Sequence, residues 1–255
     1  MHDGRGRAVP GELMRVFWSV MLAALGCLRI PAQTDQSPVE RRIATAQKKI
    51  QADSKSWQAY NELAAALCRK ARDDSKSATY DEAQKALDRS FWFSPGNYEG
   101  QKAQVMVLLG EHRAVDALKL ATELNSKVHD DIGVWGLLVD CNAALGNYAE
   151  AEYDAQWILD LRAGSSLGFE KAAGLRFHFG DPEGAIEFYE EASRRTSAND
   201  ADQRAWLLTQ IASIQLASGN SKQAEDRLAE ALKLFPDSQL ALGLREKART
   251  AEARR

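Results

Sequence analysis

Three histidines stand beyond the N-terminal stretch, His112, His129 and His178, and no two share the helical spacing that turns a pair of imidazoles toward one metal ion. His129-Asp130-Asp131 has the residue types of half a metal site, but an acidic segment between helices reads as a solvated turn. Glu187, Glu190 and Glu191 set carboxylates close enough for acid–base work. On a helix, however, they form its wet face. Cys68 and Cys141 make no Cys-x-x-Cys pair, and no glycine loop of the Gly-Lys-Ser or Gly-Lys-Thr type is present to cradle phosphate. The expectation is a non-enzymatic chain with no catalytic residue, cofactor or metal.

What these residues hang on is a repeat. Trp135 answers to Phe169, Leu138 to Ala172, Gly146 to Gly180, Ala151 to Ala185 and Ile158 to Ala192, each pair 34 residues apart. The alanines Ala83, Ala117, Ala151 and Ala185 keep that period, and Ala224 follows after 39, which places about five extra residues around 198–204. An alanine suits a point where two helices cross closely, since a larger side chain overpacks the contact at about 1–3 kcal/mol. Gly146-Asn147, Gly180-Asp181-Pro182 and Gly219-Asn220 supply a residue free to turn left-handed at a helix end, then a side-chain cap for the next helix.

A bulky residue opening one helix, a Gly at the turn and an Ala in the second helix, at a period of 34, resemble the tetratricopeptide repeat family. The resemblance implies an all-α, right-handed superhelical solenoid of about five hairpins. The expected repeats are 57–95, 98–128, 132–163, 166–197 and 203–236. The second is the least regular, with Gln101 where an aromatic is expected and His112 at the turn position. Residues 33–56 read as a linker and a capping helix from Pro38 to Ala52, started by a capping box of Ser37 and Glu40. Residues 239–255 read as a second capping helix, Gln239 to Ala251, and a frayed tail. In the first repeat the polar run Arg72 to Ser77 reads as a turn about seven residues too long, with a second capping box at Thr79 and Glu82.

Residues 1–32 read as a signal peptide: Arg15, a 13-residue uncharged run from Val16 to Leu28, and the cleavage-like Ile30-Pro31-Ala32. Met14 is an alternative start. The run is shorter than the roughly 20 residues that span a bilayer, so no membrane span is expected after cleavage, and the chain is expected to be periplasmic or secreted; the alternative is an envelope lipoprotein or a chain anchored to the membrane by a retained N-terminus. Ala24-Leu25-Gly26-Cys27 resembles a bacterial lipoprotein box, which makes Cys27 a candidate lipid anchor on an envelope lipoprotein. Ala24 and Leu25 depart from its usual Leu and small residue. The one remaining pair of cysteines, Cys68 and Cys141, is expected to stay unpaired. A whole repeat separates them, while a disulfide needs Cα atoms within about 7 Å.

Charge excludes one class of partner. The chain has 33 basic and 36 acidic residues, 29 and 34 after residue 32, and no block of Lys or Arg, so nucleic acid is not expected. The resemblance implies instead a protein or peptide partner held in a concave groove, with ligand-facing side chains at the second, fifth, ninth and twelfth positions of each repeat. Carried onto this chain they are Gln58, Asn61 and Cys68, then Lys102 and Met106, then Asp140, then Glu170 and Phe177, then Trp206, Thr209 and Ser213. Phe177 and Trp206 are the expected anchors, because aromatics dominate binding hot spots. The other reading is a structural subunit that oligomerises through the solenoid ends or the convex face.

Overall fold

The computed structural model describes residues 36–253. The signal-peptide reading, Met14, Cys27, the linker up to residue 35 and the last two residues lie outside them. Among the described residues there are twelve helices and no strand. They are α1 Pro38–Ala52, α2 Trp57–Asp74, α3 Ser77–Phe93, α4 Tyr98–Gly110, α5 Ala114–Lys127 and α6 Ile132–Leu145. The chain continues with α7 Tyr148–Leu161, α8 Ser166–His178, α9 Pro182–Arg195, α10 Ala201–Ala217, α11 Ser221–Leu234 and α12 Gln239–Glu252. Five consecutive hairpins, α2–α3 to α10–α11, pack in sequence order, with α1 against the first and α12 against the last.

The period of 34 is a packing period. Ala83, Ala117, Ala151, Ala185 and Ala224 are all fully buried. At each turn one residue is left-handed: Ser75, His112, Gly146, Gly180 and Gly219, with φ between 55° and 83°. In the last four turns the amide that follows closes a six-residue loop back onto the helix, Arg113 to Leu108, Asn147 to Asn142, Asp181 to Arg176 and Asn220 to Gln215, at 2.7–2.9 Å. That bond satisfies a carbonyl the helix end would strand. His112 occupies the glycine position in the irregular second repeat and takes its conformation.

Local expectations fail where tertiary contacts compete for the same atoms. The run 72–77 is not an extended turn: α2 continues to Asp74, and the extra residues lengthen the helices instead. Thr79 lies inside α3, whose N-cap is Lys76, so the second capping box does not form. The Thr79 hydroxyl turns back to Asp74 at 3.4 Å. Ser37 does cap α1, accepting from the Glu40 amide at 3.1 Å, but the Glu40 carboxylate goes to Lys70 at 2.7 Å. Asp181 caps α9, whereas Asn147 and Asn220 make no side-chain cap.

Cys68 and Cys141 are buried and free, and burial pushes both thiols up to about 12. Trp135 is 4% exposed, donates Nε1–H to the His129 carbonyl at 2.8 Å and stacks on Trp157. It is part of the core.

Candidate functional site

The first helices of the third, fourth and fifth hairpins bring their side chains to one cleft of ≈ 300 Å³. It is lined by Asp140 and Ala143 of α6, Tyr148 at the start of α7, Glu170, Lys171 and His178 of α8, and Trp206 of α10. Helical repetition puts them there: each first helix presents the same face, one hairpin after the next.

Its floor is ionic. The Lys171 ammonium is nearly buried and donates to both Asp140 oxygens at 2.7 and 2.8 Å, with Glu170 at 3.3 Å. Burial alone would lower the Lys171 pKa, but the two carboxylates outweigh it and hold it above the usual lysine range. From there a chain of polar contacts runs on. Gln203 donates to Glu170 at 2.6 Å and accepts from Arg72 of the first hairpin at 3.0 Å. The Arg72 guanidinium lies over the Trp206 ring, 4.3 Å from its centroid. Burial pulls the Arg72 pKa down, and the carboxylates of Glu170 and Asp140 work against that pull.

The walls are aromatic. Tyr148 and His178 stack with centroids 3.6 Å apart, Phe179 meets both edge-on, and Tyr189 meets Trp206 edge-on at 6.3 Å. Phe179 stands beside this wall with 58% of its surface exposed. A charged floor, flat aromatic walls and an exposed apolar rim are suited to gripping a short segment of another chain. Among the described residues no three His, Cys, Asp or Glu side chains converge as a metal site, and no helix is long and apolar enough to cross a membrane.

Of the expected ligand-facing residues, the cleft gathers Asp140, Glu170 and Trp206. Phe177, expected as an anchor, is exposed and is not in the lining, which its neighbour His178 joins. Two assignments are corrected. Asn61 is only 7% exposed and spends its amide on Asn97 and Ser90, tying α2 to α3 and α4. Thr209 is 1% exposed and donates to the Ala205 carbonyl within its own helix. Buried amides and hydroxyls already bonded inside the protein are not free for a ligand.

The others lie elsewhere. Lys102 pairs with Asp131 at 2.9 Å, Met106 packs on the core, Cys68 is buried, Ser213 is half-buried and Gln58 is exposed. Sequence reasoning missed Ala143, Tyr148, Lys171 and His178. One signal was present, for Val139 and Ala143 are the fifth and ninth positions counted from Trp135, and both line the cleft. Nothing in the period announced Lys171, whose position is chosen by the Asp140 carboxylate across the hairpin boundary.

Residues 167–237 match the family model described as tetratricopeptide repeat. Solved structures match the fold over most of the chain. A thermophilic TPR protein of Thermus thermophilus is 16% identical with a TM-score of 0.61, covering 76% of this chain and 99% of its own. A tetratricopeptide repeat protein of Parabacteroides merdae is 12% identical with a TM-score of 0.62, covering 83% and 78%. A human IFIT1 dimer with PPP-AAAA is 15% identical with a TM-score of 0.59, covering 76% and 45%. No curated protein matches in sequence. At these identities the structural likeness speaks for the fold alone.

Proposed function

We propose, for a chain that is a tetratricopeptide-repeat protein, a role as a non-enzymatic scaffold that grips a short segment of a protein partner in the cleft between its third and fifth hairpins. The observation that carries this is the cleft itself, with the Asp140–Lys171–Glu170 floor and the Tyr148, His178 and Trp206 walls. Nucleic acid fits it poorly. The lining holds two carboxylates against one ammonium, whereas phosphate binding needs clustered positive charge.

The scaffold works in the bacterial cell envelope. What supports this is the leader-like composition of residues 1–32, and its check is the N-terminus of the mature protein. Cleavage after Ala32 gives a chain starting at Gln33; a lipid-modified Cys27 gives the lipoprotein form; an intact Met1 or Met14 end on envelope protein gives the N-terminally anchored form, and the same end on cytoplasmic protein alone sinks the export reading.

The alternative, a subunit that oligomerises, is favoured by Trp92 and Tyr153, which stand 77% and 61% exposed on second helices. The deciding experiment is crosslinking from the native envelope fraction with wild type and an Ala143→Arg variant of unchanged circular dichroism. The arginine fills the cleft, and its guanidinium, one helical turn from Asp140, competes with Lys171 for the floor carboxylates. A partner captured by wild type and lost with the variant supports the cleft. Equal capture by both removes it, and a product containing only the chain itself, unchanged by the substitution, favours the oligomer.

A further inference from the structure

The two places where the 34-residue register breaks are far apart in the chain and meet in the fold. Arg72 and Asp73 lie in the extra turn of α2, with Arg69 one turn earlier, and Asp200, Asp202 and Gln203 lie in the extra residues that open α10. Arg69 Nη1 reaches Asp200 at 2.9 Å and Asp202 at 2.8 Å. Arg42 of α1 reaches the same two carboxylates at 2.7 and 3.1 Å. Asp73 accepts from the Ser238 hydroxyl and the Gln239 amide at the start of α12. The first hairpin is thereby joined to the fifth, and the array closes on itself.

The seam combines two kinds of contact. Buried residues of the first and fifth hairpins, among them Leu67, Leu87, Ala212, Leu228 and Phe235, belong to one hydrophobic core, and beside it Arg42, Arg69 and Asp200 keep 27–40% of their side-chain surface in solvent around Asp202, which keeps 3%. A second cleft of ≈ 480 Å³, lined by Thr45, Ala65, Arg42, Arg69, Asn199 and Asp202, gives water and salt access to the cluster. Exposed ion pairs are weakened by salt, while buried apolar contacts are not. The seam is also wired to the partner cleft, since Arg72 reaches across it to Gln203 and covers the Trp206 ring that forms a cleft wall. At ≈ 300 Å³ the cleft is at the small end of binding sites, which run from roughly 300 to 1,000 Å³. Parting the seam would uncover Trp206 and lengthen the same face.

We propose that the seam is an ionic gate on the partner cleft, closed by Arg42 and Arg69 against Asp200 and Asp202 and transmitted by Arg72 to Trp206. The gate regulates the cleft put forward above and so rests on that reading. Closed, it limits the cleft to a short segment; open, it admits a longer one. The competing account of the seam is apolar contact, because Val39, Phe235 and Leu240 line it too.

The test uses the full chain without any partner, so its failure leaves the cleft reading standing. Asp200→Asn with Asp202→Asn removes one side of the cluster, and Arg42→Gln with Arg69→Gln removes the other. Small-angle scattering gives the radius of gyration. Iodide quenching of Trp206, taken as the difference from matched Trp206→Phe proteins, reports the gate. The expected result is a larger radius and loss of Trp206 protection in both variants at low salt. Wild type should follow at about 1 M sodium chloride, where the screening length is about 3 Å. Variants that stay compact and protected at both salts overturn the gate in favour of apolar closure. If the aspartate pair loses helicity, the arginine pair decides by the same readouts. Loss of helicity in both would make the seam part of the folding core and overturn the gate as well.

Discussion

His112 holds a φ of 60° at an exposed turn, where its neighbours in the array have Gly146, Gly180 and Gly219. A side chain in that region crowds the following carbonyl, at a cost of roughly 1–2 kcal/mol for an L-residue. His112→Gly removes the crowding but loosens the unfolded chain, so a net gain of about 0.5–1 kcal/mol is expected in urea unfolding. Trp135 carries the opposite sign. It is enclosed by Trp157 and His129, and Trp135→Ala should cost about 3–5 kcal/mol by the same measurement. Both positions were readable from spacing alone, as a turn site and a hairpin-core site. The burial of Asn61 and Thr209 was not, because a period says which residues share a face and not which of them the protein keeps for itself.

Among the elements, α4 shows how one side chain can hold several. Asn97 caps it, accepting from the Gly100 amide and from Asn61 of α2 at 2.8 Å each, and donates to Ser90 of α3 at 3.0 Å. Asn97→Ala strands those partners, so a loss of about 2–3 kcal/mol is expected, larger than a cap alone provides. Asn97→Asp should keep the cap but lose the bond to Ser90, and thermal unfolding of the two variants separates the contributions. The helices themselves were legible, since α1 begins at the expected Pro38 and ends at the expected Ala52. The capping box at Thr79 was not, because its pattern is common and the continuing helix α2 supplied Asp74 as a competing partner.

For the whole molecule, acid is the revealing variable. Burial would raise the Asp202 and Asp131 pKa values, but Arg69 and Arg42 around the first, and Lys102 beside the second, hold them below the ordinary carboxylate range. A depressed folded pKa adds stability that is complete above the unfolded value of about 4 and is lost as pH falls through the folded one. Asp154 acts in reverse: burial raises it, so its charged form is a cost relieved by protonation. Chemical denaturation should therefore find stability nearly flat from about pH 6 to 8 and falling below about pH 4. Stability that stays flat well below pH 4 would mean that the seam and Asp131 pairs contribute little.

Composition and a 34-residue period determined the helical class, the five hairpins, the last four turns and the alanine contacts, because each is a local demand repeated at fixed spacing. The same sequence marked the two interruptions of that period without saying what they were for. Only the tertiary structure decided that they meet, that Arg72 crosses from the first hairpin to Trp206 of the fifth, and that Lys171 settles between Asp140 and Glu170. Contacts between residues more than 100 positions apart depend on the summed small rotations of every hairpin between them. No window of the sequence contains that sum.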